Sequence, residues 1–246
     1  MNIYFHFISF IFGLVFGSFG NAWAWRIVHN ESIVKGRSHC AVCNHELSVL
    51  DLFPLFSWLF LKGKCRYCGS KISIRYPTTE LILGLTFLII FHKYSFTLDT
   101  IRYLILFFLL FVASLVDFDT MELPDGLLIA AYLASLLRLP DWKSILIGTF
   151  AISVPVLIIV IIMDKILGKE SFGGGDIKLL AVLGAHFGAA NTLFLIIVSC
   201  IIGIVFAVIS KKGKGNAFPF GPILSIGALI TCIFGTEIVI WYISLF

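Results

Sequence analysis

Long stretches of this chain carry almost no charge, and that pattern limits the fold more than any single motif. Seven apolar runs, at 3–24, 78–91, 101–116, 123–139, 145–163, 179–210 and 218–246, alternate with short charged connections. A mean hydropathy of +1.03, with 59% hydrophobic and only 13% charged residues, lies outside the range of soluble domains. A helix needs about 20 apolar residues to cross a bilayer. The sixth run exceeds one crossing, and Gly184-Ala185-His186-Phe187-Gly188-Ala189-Ala190-Asn191 offers a break. Dividing it there predicts an all-α polytopic membrane protein with about eight transmembrane helices. No internal repeat is apparent. A net charge of +4 gives no ground for a nucleic-acid partner.

The first run has no basic residue before it, while Arg26 follows it, which is the wrong order for a cleaved secretory signal. It is therefore expected to stay as a first span with its N-terminus outside. In that orientation the inner connections collect Arg26, Lys35, Arg37, Lys62, Lys64, Arg66, Lys71, Arg75, Lys165, Lys169, Lys178, Lys211, Lys212 and Lys214. Of the 18 Lys and Arg residues, only Lys93, Arg102, Arg138 and Lys143 fall outside. Cytoplasmic loops gather positive charge, so this orientation is strongly favoured. The chain then divides into a first transmembrane helix (1–25), a cytoplasmic four-cysteine loop (26–77) and a transmembrane core (78–246).

That loop holds Cys40-Ala41-Val42-Cys43 and Cys65-Arg66-Tyr67-Cys68. Two C-x-x-C pairs at this separation match a four-thiolate zinc site, each pair supplying two sulfurs to one metal. A reducing cytoplasm weighs against two disulfides. Four thiolates also leave no open coordination position, so the expected zinc is structural. Cys200 and Cys232 sit in apolar runs and read as small hydrophobes in helix packing.

Ionisable groups beside apolar spans are functional candidates. The run Phe172-Gly173-Gly174-Gly175-Asp176-Ile177-Lys178 ends in one carboxylate. A second, Asp117, opens the acidic connection 117–125, which holds Asp119, Glu122 and Asp125 but no Lys or Arg. In the predicted topology both Asp117 and Asp176 lie on the cytoplasmic side. Asp125 and Asp176 could each cap a following helix. Asp117 could not, because it closes a helix where negative charge opposes the macrodipole. Two neighbouring carboxyls that cannot both ionise readily hold one shared proton. One then activates water, and the other protonates the carbonyl oxygen and the leaving amine. Gly173, Gly174 and Gly175 give the backbone access to φ > 0 and let an extended substrate lie close. Asp119 and Glu122 suit a positively charged segment of a substrate.

The motifs, in order, resemble the type IV prepilin peptidases, bacterial membrane aspartyl proteases. The match runs through Gly17-Ser18-Phe19-x-Asn21 with Arg26, both C-x-x-C pairs, Pro54-Leu55-x-Ser57 and Gly63-Lys64-Cys65-Arg66. It continues with Arg75-Tyr76-Pro77-x-x-Glu80, Asp117 with Leu123-Pro124-Asp125, Gly173-Gly174-Gly175-Asp176-Ile177-Lys178 and Phe218-Pro219-Phe220-Gly221-Pro222. The resemblance implies that Asp117 and Asp176 are the catalytic pair. It also implies a bacterial cytoplasmic-membrane location and substrates that are prepilins or pseudopilins losing a short basic leader. Methylation of the new N-terminus with S-adenosylmethionine is implied too, and Gly63 matches a position associated with that transfer. The sequence departs from the family at Ala41, at Ile27-Val28 and around Asn21, and none of these touches the aspartates. Two alternatives stand beside this one: a peptidase alone with a structural zinc loop, and a non-enzymatic scaffold for pilus or secretion assembly.

Overall fold

The computed structural model describes residues 3–34, 36–138, 141–168, 172–209 and 218–245. Lys35, Lys169, Lys211, Lys212 and Lys214, which entered the charge asymmetry above, lie outside the described residues. The chain forms two units, Met1–Phe96 and Thr97–Phe246. Among the described residues the regular elements are all helical, and two isolated β-bridges lie in the long loop between the first two long helices.

The first unit contains α1 (Ile3–Val28), the short α2 (Phe56–Phe60) and α3 (Arg75–Tyr94). α1 and α3 cross closely because small residues meet at the contact. A Cβ on Gly13 would lie 2.7 Å from Gly84 Cα, and one on Gly17 would lie 2.8 Å from Glu80 Cα. Helices in lipid gain stability from this kind of approach, since apolar surface alone gives no net drive there. Polar links fix the register: Ser9 Oγ donates to Phe87 O at 3.0 Å, and Thr79 Oγ1 donates to Asn21 Oδ1 at 3.0 Å.

The second unit contains α4 (Leu98–Thr120), α5 (Asp125–Ser135), α6 (Trp142–Leu167), α7 (Gly174–Phe187), α8 (Ala189–Ile209), α9 (Gly221–Ile230) and α10 (Thr236–Ile243). A π turn at Thr231–Gly235 joins the last two into one long helix, Gly221–Ile243. α4 is the core helix, with 67% of its most apolar window buried, against 22% for α6 and for α8. α6 and α8 instead expose Ile147, Phe150, Ile159, Ile197, Ile201 and Ile204. So much contiguous apolar surface suits a lipid neighbour. α6 and α7 touch backbone to backbone at Gly148 and Gly184, where an added Cβ would fall 2.1 Å from the opposing carbonyl oxygen.

Helical segments follow the eight predicted runs in order, and the expected break falls at Gly188, whose φ of +77° ends α7. By length and composition alone, fewer helices than the eight expected qualify as spans. Among the described residues five helices, Ile3–Val28, Leu98–Thr120, Trp142–Leu167, Ala189–Ile209 and Gly221–Ile243, are long and apolar enough to cross a membrane. The other three fall short for separate reasons. α3 carries Arg75, Glu80, His92 and Lys93; α5 has 11 residues before tightening into a 3-10 turn; α7 has 14. At 1.5 Å per residue, α7 reaches about 21 Å, less than the roughly 30 Å of a hydrocarbon core.

Candidate active site

Asp117 lies in the last turn of α4. Its carbonyl accepts the N–H of Met121, a left-handed residue that ends the helix. Its side chain is 5% exposed. A carboxylate at a helix C-terminus opposes that helix's dipole, and here a second helix offsets it. The N–H of Gly221, which opens α9, donates to Asp117 Oδ2 at 2.9 Å. Gly221 is required at that point, since a Cβ would sit 2.7 Å from the same oxygen. The N-terminus of α9 thus faces the buried charge.

Asp176 stands in the first turn of α7, half-buried, with its N–H on Gly173 O. The glycines before it are not used as expected. Gly173 is extended at φ −65°, and none of Gly173, Gly174 and Gly175 has positive φ. What they supply is space. A Cβ on Gly173 would lie 2.9 Å from Asp176 Oδ2, one on Gly175 would lie 3.2 Å from Leu123 Cβ, and Gly174 has open space beside it.

Leu123 brings the two halves together, because it also reaches within 3.1 Å of the Cβ position at Gly221. The Phe172 and Phe220 rings, one residue before each glycine turn, meet edge to face at 5.6 Å. Asp117 and Asp176 therefore share one cluster, and the charge on Asp117 acts on Asp176. The acidic connection is shorter than expected: Asp119 still belongs to α4, and Asp119 and Glu122 are both exposed. Neither anticipated cap forms. Pro124 occupies the N-cap position of α5, and Asp125 instead accepts Lys178 Nζ at 2.7 and 2.9 Å. Gly173 holds that position in α7, and no side chain caps the helix.

The four-cysteine loop makes a second centre within the first unit. The ligand atoms of Cys40, Cys43, Cys65 and Cys68 all lie within 4.8 Å of one another. A tetrahedral zinc with Zn–S bonds of about 2.3 Å needs sulfurs about 3.8 Å apart, so the donor set fits that ion. The N–H groups of Cys43 and Val42 draw the Cys40 thiol down to about 6, while Cys43 is pushed up to about 11. The absence of an internal repeat also needs correcting, for the two knuckles are copies. Cys40 N–H bonds His45 O as Cys65 N–H bonds Ser70 O, and Leu47 N–H bonds Ser38 O as Ile72 N–H bonds Gly63 O. Asn44 and Gly69 take equivalent left-handed turns. Asp51 clamps the second knuckle by accepting Arg66 Nε at 2.6 Å and Tyr67 Oη at 3.0 Å. Burial alone would raise the Asp51 carboxyl, but these donors and Ser48 hold it at about 2.

Beside the knuckles, wholly within the first unit, lies a cavity of about 420 Å³. Trp25, Trp58, Asp51, Lys71 and Glu80 are in its wall. Gly63 is buried behind that wall at φ +67°, and a Cβ there would lie 2.9 Å from Trp58 Cζ2. The indole it accommodates donates from Nε1 to Ile72 O at 3.1 Å. Sequence reasoning named Gly63 but missed Trp58, Glu80 and Gly221. Glu80 and Gly221 stood inside quoted motifs, and only tertiary contacts reveal what they touch.

A chain with this pair of centres can be compared with known proteins. It is 32% identical over 249 residues to the prepilin leader peptidase/N-methyltransferase of Bacillus subtilis (strain 168), covering 97% of this chain and 98% of that one. The chain belongs to the type IV leader peptidase family. The family's own model matches residues 104–208, and that of the bacterial peptidase A24 N-terminal domain matches 11–94. Other relatives agree. The type 4 prepilin-like proteins leader peptide-processing enzyme of Escherichia coli O78:H11 is 34% identical, over 89% of this chain and 90% of its own. The prepilin leader peptidase/N-methyltransferase of Neisseria gonorrhoeae is 33% identical, over 81% of this chain and 71% of its own. No solved structure matches the chain significantly.

Proposed function

We propose that this leader peptidase family member cleaves the basic leader of a prepilin or pseudopilin and methylates the new N-terminus. Asp117 and Asp176 are the catalytic dyad, eight helices cross the cytoplasmic membrane, the N-terminus is outside and the dyad faces the cytoplasm. Residues 1–25 form the first span, 26–77 the cytoplasmic zinc loop and 78–246 the peptidase core. The observation that carries the reading is one cluster in which Asp117, Gly221, Leu123, Gly175 and Asp176 converge. The N–H of Gly221 favours the negative charge on Asp117, leaving Asp176 to hold the shared proton. Asp117 takes a proton from the attacking water; Asp176 gives one to the scissile carbonyl oxygen and regains it for the leaving amine. The open side of Gly174 suits a substrate backbone.

Asp119 and Glu122 hold the leader's positive charges by complementarity. Glu122→Lys is expected to raise KM for a basic leader about tenfold at low salt with little change in kcat. Steady-state kinetics at two ionic strengths checks this; an unchanged KM removes Glu122 from leader binding.

Zinc at Cys40, Cys43, Cys65 and Cys68 is structural. The cavity beside it fits S-adenosylmethionine in size and chemistry: Trp25 and Trp58 offer π faces to an adenine or a sulfonium, and Lys71 suits a carboxylate. When bound, that molecule supplies an electrophilic methyl group. Gly63→Ala is expected to push the Trp58 indole into this space and lower methylation at least about tenfold relative to cleavage. Equal loss of both activities would contradict a role confined to the cavity. The whole proposal is tested by incubating purified protein with a prepilin peptide, with and without S-adenosylmethionine. Mass analysis should show leader loss in both and one added methyl group only with the donor.

A further inference from the structure

Two carboxylates line the cavity of the first unit. Asp51 is fully engaged, with Ser48, Arg66 and Tyr67 all donating to it. Glu80 differs. It is buried on α3 and accepts the N–H of Leu55 at 2.8 Å, and Ser18 lines the same cavity. Among the described residues no basic side chain pairs with it.

Leu55 explains the acceptor but not the charge. At φ 60° and ψ −51°, with Phe56 N–H on Pro54 O at 2.6 Å, it centres a strained γ-turn that Glu80 holds in place. Holding an N–H needs an oxygen, and a glutamine would serve without the cost of desolvating a carboxylate. The negative charge on Glu80 is therefore surplus to the fold. It lies in a cavity with aromatic walls, and a cation entering there would be its natural partner.

The chemistry proposed above, on which this inference rests, produces such a cation. Leader cleavage leaves an N-terminal ammonium with a pKa of about 7.7–8.0, largely protonated at neutral pH. Its lone pair is unavailable to a methyl group until that proton leaves. We propose that Glu80 binds the α-ammonium of the cleaved pilin and removes its proton, making Glu80 the general base of N-methylation. The N–H bond breaks and a carboxyl O–H forms, turning ammonium and carboxylate into amine and carboxylic acid. The amine's lone pair then forms the N–C bond as the methyl's C–S bond to the sulfonium breaks, releasing a neutral thioether. Glu80 returns its proton to water once the product has left.

The test compares full-length wild type with Glu80→Gln, which keeps an acceptor for Leu55 and so spares the turn. Zinc content and melting temperature check the fold. The first probe is a peptide beginning with phenylalanine, bound with its amine free or N-acetylated. Wild type should favour the free amine by about tenfold, as expected of a charge-assisted contact, and Glu80→Gln should bind both alike. The second readout is pH. Residual methylation by Glu80→Gln should climb about tenfold per pH unit below the amine's pKa, tracking free amine, while wild type stays nearly flat. An intact amine preference, or wild-type methylation with an unchanged pH profile, in Glu80→Gln would overturn the role of Glu80 alone. Wild type that binds neither S-adenosylmethionine nor the free-amine peptide would overturn the methylation reading together with it.

Discussion

Replacing Asp117 or Asp176 by Asn is expected to lower leader cleavage on the order of 10³-fold or more without unfolding the protein. An asparagine at 117 still offers an oxygen to the Gly221 N–H, the one hydrogen bond the site geometry demands of that side chain. What it loses is the ability to hold and release a proton. The size of the effect follows from the proposed mechanism, in which each carboxyl is half of the proton-transfer machinery. Cleavage of a prepilin peptide by purified variants, with melting temperature measured alongside, checks the expectation. Activity within tenfold of wild type in either variant would remove that aspartate from the dyad.

Removing zinc should have the second largest effect, confined to the loop. Structural zinc contributes on the order of 10 kcal/mol at neutral pH, as much as the entire net stability of many domains. The knuckles have few alternative supports. Each is a single bridged turn, joined to the other by the sulfur cluster, the Asp51 clamp and the His45–Tyr67 ring contact at 3.6 Å. Chelation, or Cys40→Ser, should make residues 37–73 rapidly cleavable by added protease while α4–α10 stay protected. Methylation should fall with the loop because the cavity shares its wall with Cys40 and Cys65. A loop that stays protease-resistant without metal would contradict this account of its stability.

The sequence singled out Asp117 and Asp176, proposed above as the dyad, because charge is conspicuous in an apolar chain and they had few competitors. The cysteine cluster was equally legible, because two close pairs on matching turns bring four sulfurs together. Other features depend on contacts that no local pattern carries. Gly221 meets Asp117 across 104 positions, so its motif could be read but its role could not. The glycines before Asp176 suggested left-handed backbone, whereas their use is to clear room for Leu123 and the Asp176 carboxylate. The duplication of the knuckles escaped notice because Asn44 and Gly69, or Leu47 and Ile72, share backbone conformation and bonding rather than identity. Hydropathy located α5 and α7 but misplaced their ends: α7 starts at Gly174, ahead of its apolar run, and α5 ends at Ser135, short of the end of its own. Gly173 and Leu136 set those limits.

Everything proposed for cleavage depends on the two aspartates working as one group, and the double variant measures that directly. If Asp117 and Asp176 share a single proton, Asp117→Asn/Asp176→Asn should cleave a prepilin peptide no more slowly than either single variant, since the first substitution already disables the pair. Losses that multiply, with the double variant slower by the product of the two single effects, would mean that the carboxyls act independently and that the dyad does not exist.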